Sequence, residues 1–340
     1  MHIIAIDAMG GDNSPVEIVK GAVTSLNQFL VDKKIKIILV GKENIIRDEL
    51  KSYTYDENLI EIKNATEIIK SDEAAMSIRT KKDSSIVVGL NLLKENKADS
   101  FISAGSTGAL LSGATLKIKR INGISRPALA TLLPNKKGFS LMLDSGANVD
   151  CKPSYLLDFS LLGIAYMENV LGIENPRVGL VNVGTEKEKG NTLTKEVYEI
   201  LSSANINFIG NIEARDISSG ICDVVVCDGF AGNLILKTAE GYSKFIFDTI
   251  KKELTSNIMN KIGAFLSKKA FKKIKKSFDY AEIGGAPFLG LTSLVIKTHG
   301  SATHRDIVGA INQSYKFYNG KMIEKLEHLM NLTTNNKIQI

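Results

Sequence analysis

Six segments of the chain combine glycine with asparagine, aspartate and hydroxyl side chains, and each follows an apolar run. They occupy residues 7–15, 103–108, 144–148, 182–191, 228–233 and 297–302. Glycine-rich backbone ahead of a helix presents N–H groups to an anion. Because ligands of an open parallel sheet bind beyond the carboxyl ends of its strands, we expect the six segments to meet at one sheet edge. A single segment also fits ordinary turns and helix caps, but six together favour an anion site.

Several common catalytic and cofactor motifs are absent from the sequence. It has no G-x-G-x-x-G, no G-x-x-x-x-G-K-[ST] and no G-x-S-x-G, the motifs of dinucleotide sites, P-loops and nucleophile elbows. Its four histidines and three cysteines lack the spacing of zinc ligands. We therefore expect no bound metal, and an odd number of thiols suits a reducing cytoplasm.

The elements that must position these segments alternate between strand and helix. Apolar runs rich in Ile and Val predict strands at 2–7, 36–40, 99–103, 139–144, 177–183 and 223–228. Helical patterns lie at 15–30, 84–95, 106–119, 154–171, 191–203, 230–250 and 303–318. This alternation is typical of an α/β fold with a mainly parallel sheet. We predict one α/β unit over residues 1–331, with two lobes possible, and a polar tail at 332–340.

The motifs around the six segments extend well beyond glycine patterns. They are IAIDAMGGDNSP from Ile4, SAGSTGALL from Ser103, LDSGANVDCKP from Leu143, GLVNVGTEKEKGN from Gly179, GNIEARD from Gly210, CDGFAGNLILKTAEG from Cys227, GGAPFLG from Gly284 and KTHGSA from Lys297. Together they closely resemble the bacterial phosphate acyltransferases of phospholipid synthesis, the PlsX family. The resemblance spans residues 4 to 302, nearly the whole chain.

The resemblance implies a fold, a reaction and partners. The fold is a three-layer α/β/α, Rossmann-like arrangement related to phosphate acetyltransferases and isocitrate-type dehydrogenases. The reaction moves a long-chain acyl group from acyl carrier protein to inorganic phosphate, and the acyl phosphate then serves a membrane glycerol-3-phosphate acyltransferase. A homodimer without metal or organic cofactor is implied.

Phosphate is itself a nucleophile, so direct attack on the thioester needs no acyl-enzyme, only positioning and oxyanion stabilisation. We assign catalytic roles to Lys189, His299 and Asn233, with His299 donating to the thioester carbonyl or protonating the leaving thiolate. The remaining candidates are polar or glycine residues of the segments, expected to bind substrate: Asp7, Gly10, Gly11, Asp12, Ser103, Gly105, Ser106, Thr107, Gly108, Asp144, Asn148, Asn182, Gly184, Glu186, Asn191, Arg215, Asp228, Gly229 and Gly232.

Three of these assignments have structural alternatives. Lys189 belongs to a charged run that is equally consistent with a solvated surface. Arg215 lies between Glu213 and Asp216, where an ion pair is nearly as plausible as a ligand contact. His299 also suits a capping or core role.

The net charge of +6 comes from one segment of the chain. Residues 251–276 hold nine Lys and one Glu, so the rest of the chain, with 34 basic and 36 acidic residues, carries −2. Helical spacing predicts an insertion at about 251–278 made of two short amphipathic helices with a break near Ser267. Its expected contacts with membrane or carrier protein are Phe265, Leu266, Lys268, Lys269, Lys272 and Lys273.

Packing against a dimer mate is the alternative role for the insertion. Nucleic-acid binding is disfavoured because the segment has neither arginine nor an aromatic stacking face among its lysines. The N-terminal MHIIAID lacks the features of a signal peptide. We therefore expect a cytoplasmic, peripherally membrane-associated protein.

Two rival functions remain open at this stage. An isocitrate-type dehydrogenase would need metal-binding aspartates and a nucleotide site, which we cannot locate in the sequence. A catalytically silent scaffold that binds acyl carrier protein at the membrane would share the basic insertion but would show no phosphate-dependent chemistry.

Overall fold

The computed structural model of the chain describes residues 1–29, 34–277 and 284–328, so the predicted tail at 332–340 lies outside the described residues. Twelve strands are described: β1 His2–Asp7, β2 Ile35–Gly41, β3 Ile60–Asn64, β4 Ser100–Ser103, β5 Ala128–Leu129, β6 Thr131–Asn135, β7 Gly138–Leu143, β8 Val178–Val181, β9 Phe208–Ile212, β10 Val224–Val226, β11 Ala286–Leu289 and β12 Leu294–Lys297. Ten α-helices have described bounds: α1 Val16–Thr24, α2 Glu43–Leu50, α3 Ser85–Lys94, α4 Thr107–Lys117, α5 Pro153–Leu171, α6 Thr192–Ser203, α7 Gly229–Leu254, α8 Ile258–Leu266, α9 Lys268–Ser277 and α10 His304–Asn319. Residues 322–328 are helical as well.

The strands form two sheets, which corrects the expectation of a single sheet edge. The first has the order β3-β2-β1-β4-β12-β11-β5, and the second has the order β6-β7-β10-β8-β9. Among the described strands, three pairs are antiparallel: β12–β11, β11–β5 and β6–β7. Segments 7–15, 103–108 and 297–302 therefore follow strands of the first sheet, and 144–148, 182–191 and 228–233 follow strands of the second.

The chain passes directly from one sheet to the other at Ala130. Leu129 pairs with Phe288 in the first sheet, whereas Thr131 pairs with Met142 in the second. One apolar core continues across both sheets, from Ile4 and Ile6 of β1 to Val224 and Val226 of β10. Because both sheets share this core, the ends of β1, β4 and β7 are held in a fixed relation.

Helices cover the sheets as an α/β fold requires. Helices α1 and α10 pack against each other beside the first sheet, and α3 packs against β1, β2 and β4. Helix α5 covers β7 and β10 of the second sheet. Mainly parallel sheets are thus covered by helices, which confirms the predicted three-layer α/β class.

Helices α7, α8 and α9 differ from the rest because little of their surface is buried. Only Gly229 and Gly232 are buried on α7, although it has 26 residues. Helix α8 ends at Leu266 with Ser267 as its C-cap, and α9 begins at Lys268. The predicted pair of short helices with a break near Ser267 is therefore confirmed.

Candidate active site

A single large cavity lies where the loops of the first sheet face helices α7 to α9. Its volume is about 2040 Å³. Loops after β1, β4 and β12 line one side, and the loop after β7 contributes Ser145 and Gly146. Of the twenty-two predicted catalytic or substrate-binding positions, eight line the cavity: Gly11, Asp12, Gly105, Ser106, Thr107, Gly108, Asn233 and His299.

The buried carboxylate of Asp7 ties two of these loops together. It accepts a hydrogen bond from Ser103 Oγ at 2.7 Å and one from the Met9 backbone N–H at 3.1 Å. Ser103 Oγ in turn accepts from the Gly105 N–H at 3.0 Å. Burial raises the pKa of Asp7, and the hydroxyl and backbone donors oppose that rise. Asp7 therefore orients the loops after β1 and β4 rather than contacting the cavity directly.

Two glycines allow the loops to approach closely. A Cβ on Gly10 would lie 2.4 Å from Asp7 Oδ2 and 2.7 Å from the Gly105 nitrogen. Gly11 has φ +91°, and its Cβ would lie 2.8 Å from the Gly300 carbonyl oxygen. The Asp12 N–H donates to that same carbonyl at 2.7 Å. Close backbone packing thus joins the loops after β1, β4 and β12.

The N-terminus of α4 opens into the cavity. Ser106 is the N-cap and its Oγ accepts from the Ala109 N–H at 3.4 Å. Thr107 and Gly108, in the first turn, line the cavity. The N–H groups of a first helical turn have no intrahelical acceptor, and the helix dipole favours an anion there.

Lys297 supplies a cation at the cavity wall, and the sequence interpretation missed it. It is the one buried lysine among the residues that the structure describes. Its Nζ donates to the carbonyl oxygens of Ala104, at 3.3 Å, and Thr298. Burial lowers the pKa of Lys297 to about 8, partly opposed by the charge of Asp7.

A buried hydroxyl lies next to this lysine. Thr298 Oγ1 is buried and has no hydrogen-bond partner among the described residues, and Thr298 lines the cavity. The Thr298 N–H donates to the Ser103 carbonyl at 3.0 Å, which fixes its backbone against β4. A buried polar group without a partner is costly unless a ligand satisfies it.

His299 and Asn233 both line this cavity. His299 Nδ1 accepts from the Ser301 N–H at 3.2 Å and lies 2.8 Å from Ser301 Oγ. This contact leaves the neutral imidazole proton on Nε2, which becomes the donor. Asn233 lies near the start of α7, beside Gly146. Lys237, one turn further along, also lines the cavity but pairs with Glu240 at 2.7 Å.

Asp144 organises the second sheet's contribution. Its buried carboxylate accepts from the backbone N–H of Leu129 at 2.9 Å and of Asn148 at 2.5 Å. Asn148 Nδ2 donates to the Pro127 carbonyl at 2.8 Å. Asp228 caps α7 by accepting from the Ala231 N–H at 2.7 Å. These polar groups therefore fix loop shape.

Glycines complete this packing. The Gly229 N–H donates to the Asn148 carbonyl at 2.7 Å, and a Cβ on Gly232 would lie 1.9 Å from the Asp144 carbonyl oxygen. The start of α7 is thereby pressed against the loop after β7. This contact places Asn233 at the cavity.

The loop after β8 lies apart from the cavity lining. Asn182 Nδ2 donates to the Lys189 carbonyl at 3.1 Å, and Asn191 caps α6 by accepting from the Thr194 N–H at 2.9 Å. Arg215 pairs with Glu213, with 81% of its side chain exposed. Fourteen predicted positions thus do not line the cavity. Eight of them lie in the loops around it, namely Asp7, Gly10, Ser103, Asp144, Asn148, Asp228, Gly229 and Gly232, and six lie apart from it, namely Asn182, Gly184, Glu186, Lys189, Asn191 and Arg215.

The basic insertion roofs the cavity on one side and faces solvent on the other. Ala264, Lys268 and Phe271 line the cavity. Phe265 is 74% exposed and Leu266 78% exposed, and Lys269 is also exposed. The side chains of Lys272 and Lys273 lie outside the described part of the chain. Within the described ranges no helix has the length and hydropathy to cross a bilayer, and no group of His, Cys, Asp or Glu suits a metal ion.

The fold is shared with solved phosphotransacylases. A Streptococcus pyogenes phosphotransacetylase matches with a TM-score of 0.58 at 16% identity, covering 95% of this chain and 94% of that one. A branched-chain phosphotransacylase from Enterococcus faecalis matches with a TM-score of 0.56 at 13% identity, covering 93% and 98%. At these identities the likeness defines the fold class alone.

Sequence relatives define the family. The profile of the family described as "Fatty acid synthesis protein" matches residues 2–325. A phosphate acyltransferase of Clostridium tetani is 47% identical over 333 residues, covering 97% of this chain and 99% of the relative. One from Clostridium acetobutylicum is 49% identical over 325 residues, covering 95% and 97%. The chain belongs to this family of phosphate acyltransferases, which confirms the resemblance noted in its motifs, and it is an acyltransferase whose chemistry involves phosphate.

Proposed function

We propose that this acyltransferase moves a long-chain acyl group from acyl carrier protein to inorganic phosphate, forming an acyl phosphate for phospholipid synthesis. The observation that carries the proposal is the convergence of three glycine-containing loops on the buried ammonium of Lys297. Backbone donors, a hydroxyl and one cation at a cavity wall form an anion site without a metal.

Phosphate is held between the first turn of α4 and Lys297. The N–H groups of Thr107 and Gly108 and the Thr298 hydroxyl are the additional donors. Because Lys297 is buried, its charge acts through a medium of low dielectric and is worth more than a surface lysine. Binding in this cradle turns a bimolecular encounter into a positioned attack on the thioester.

The phosphate oxygen attacks the thioester carbon directly. The C–O bond forms, the carbonyl becomes an oxyanion, and the C–S bond then breaks to release the carrier thiolate. His299 Nε2–H and the Asn233 amide are the donors placed to stabilise the oxyanion. The departing thiolate takes the proton that the attacking hydrogen phosphate releases, so the neutral His299 imidazole keeps its own proton and no acyl-enzyme is required.

The acyl chain occupies the apolar part of the cavity. Leu236, Phe247, Ile250 and Leu254 from α7 line it, facing Ile68 and Ile69 on the first sheet's side. A chain that extends from the phosphate cradle along α7 keeps its methylene groups out of water, worth about 0.8 kcal/mol each.

The insertion binds the membrane peripherally. The apolar face of α8 is exposed at Ile258, Met259, Phe265 and Leu266, each at least 74% accessible, and α9 carries the lysines. An exposed apolar face beside a basic one fits an anionic bilayer surface. We expect Phe265→Gln/Leu266→Gln to weaken sedimentation with anionic vesicles while soluble turnover stays largely intact. Unchanged sedimentation would contradict membrane binding through this face.

The reaction is tested by release of free carrier thiol with and without added phosphate. The proposal requires thiol release that depends on phosphate. Equal release without phosphate would refute it, and reduction of NAD or NADP by candidate acids would instead support the dehydrogenase alternative.

A further inference from the structure

A second, smaller cleft of about 230 Å³ opens on the protein body and shares only Leu111 with the cavity lining. Two arginines, Arg79 and Arg126, line it together with the apolar side chains of Met76 and Leu116. Met76 is 43% exposed and Leu116 56% exposed. No carboxylate is among the lining residues, so the cleft carries two positive charges beside accessible apolar surface.

The two guanidinium groups are unpaired among the residues that the structure describes. Within the part of the chain that the structure describes, no hydrogen bond or ion pair engages Arg79 or Arg126. Other arginines differ, since Arg47 pairs with Glu43 and Arg177 pairs with Asp223. Arginine beside apolar side chains is the composition enriched where proteins bind each other.

Helix α4 connects the cleft to the catalytic cavity. Thr107 and Gly108 at its N-terminus line the cavity, and Ser112 and Thr115 further along line the cleft. Leu111 lines both. At a rise of about 1.5 Å per residue, Gly108 and Thr115 lie roughly 10 Å apart along the helix axis. A thioester arm anchored at the cleft therefore approaches the phosphate cradle along α4.

We propose that this cleft is the docking surface for an acidic face of the carrier protein that delivers the acyl thioester, with Arg79 and Arg126 pairing with its carboxylates. The inference rests on the proposed function, because it assigns the partner's position in that reaction. Charge complementarity and the absence of acidic lining residues support an acidic protein. A lipid surface instead fits the projecting apolar face of α8.

The test compares two thioester substrates with Arg79→Glu/Arg126→Glu. The acyl carrier protein is one substrate, and the same acyl group on pantetheine, which lacks the protein, is the other. We expect KM for the carrier substrate to rise roughly tenfold or more and its dependence on salt to weaken, because rim charges act on association. Turnover of the pantetheine thioester stays unchanged within roughly twofold, since the cleft does not contact phosphate.

The matched control, Lys42→Glu/Lys195→Glu, makes the same change of net charge at two exposed lysines elsewhere. It is expected to leave both substrates unchanged. An equal loss with both substrates in the Arg79/Arg126 variant would overturn the proposal, because the cleft would then have only a structural role. So would an unchanged carrier KM in that variant, particularly if Lys268→Glu/Lys269→Glu raised it. Failure of the proposed function is separate, since the wild-type protein would then show no phosphate-dependent thiol release with either thioester.

Discussion

Replacing Lys297 with methionine removes the cation of the phosphate cradle while keeping an apolar side chain of similar length. A unit charge about 4 Å from a phosphate oxygen contributes about 4 kcal/mol at an effective dielectric constant near 20. Loss of one preorganised donor to a developing oxyanion costs about 2.7 to 4 kcal/mol. Taking about 3 to 4 kcal/mol, kcat/KM for phosphate falls roughly 150- to 900-fold, at 1.36 kcal/mol for each factor of ten.

Steady-state kinetics with varied phosphate measures this loss. Lys237→Met is the matched control, because Lys237 lines the same cavity but is 56% exposed and paired with Glu240. An exposed pair contributes up to about 1 kcal/mol, so the control loses no more than roughly fivefold. Lys297→Met loses two hydrogen bonds but also removes a buried charge, and these two effects on stability offset each other. We therefore expect the Tm of the variant to stay within roughly 4 °C of the wild-type value. A folded Lys297→Met enzyme with kcat/KM for phosphate within threefold of wild type would refute the assignment.

Three further predictions follow from the same geometry. Burial lowers the pKa of Lys297 to about 8, so the ammonium is present below that pH and is lost above it. We expect KM for phosphate to rise roughly tenfold one pH unit above this pKa. Lys297→Arg, which stays charged, should flatten the pH profile of KM, and a wild-type KM that is constant from pH 7 to 10 would contradict this. Gly10→Ala forces a Cβ within 2.4 Å of Asp7 Oδ2, and we expect it to lower the free energy of unfolding by roughly 1 to 3 kcal/mol in denaturant titration. Gly263→Ala is the control, because the space around its Cβ is open. Equal stability of the two variants would show that the loops are not tightly packed. Asp144→Asn replaces an acceptor oxygen by an NH₂ group that faces backbone N–H donors. We expect the free energy of unfolding to fall by roughly 1 to 3 kcal/mol, which thermal unfolding measures. An unchanged Tm would argue against the role of Asp144 in organising the loop.

The sequence predicted the fully buried parallel strands well. β1, β2 and β10 are runs of Ile, Leu and Val covered on both faces, and such runs stand out in a sequence. β3 was missed because its exposed positions, Glu61, Lys63 and Asn64, interrupt the apolar run. Helix α2, in which half of the residues are charged, was missed for the same reason.

Long-range pairing explains the division into two sheets. Leu129 pairs with Phe288, far along the chain, and this contact assigns β5 to the first sheet while β6 joins the second. Local patterns carry no information about such pairs. The sequence therefore placed all six segments at one sheet edge, whereas three lie on each sheet.

The candidate site was predicted in part for a similar reason. Gly11, Asp12, Thr107 and His299 reach the cavity because the strands before them are neighbours in the first sheet. Lys297 carried only a weak signal, a lone lysine at the end of an apolar strand before a Gly-containing loop. Its burial depends on β11 and the loop after β4, which the sequence does not place beside it.

The most direct test of the account is a single-turnover experiment that asks whether phosphate itself attacks the thioester. Acyl carrier protein substrate is mixed with excess enzyme, first without phosphate and then with it, and intact-protein mass and product are recorded. Direct attack predicts no thiol release and no acyl adduct on the enzyme until phosphate is added, and then one acyl phosphate for each thiol released. Thiol release without phosphate, accompanied by an enzyme mass increased by the acyl group, would contradict the account.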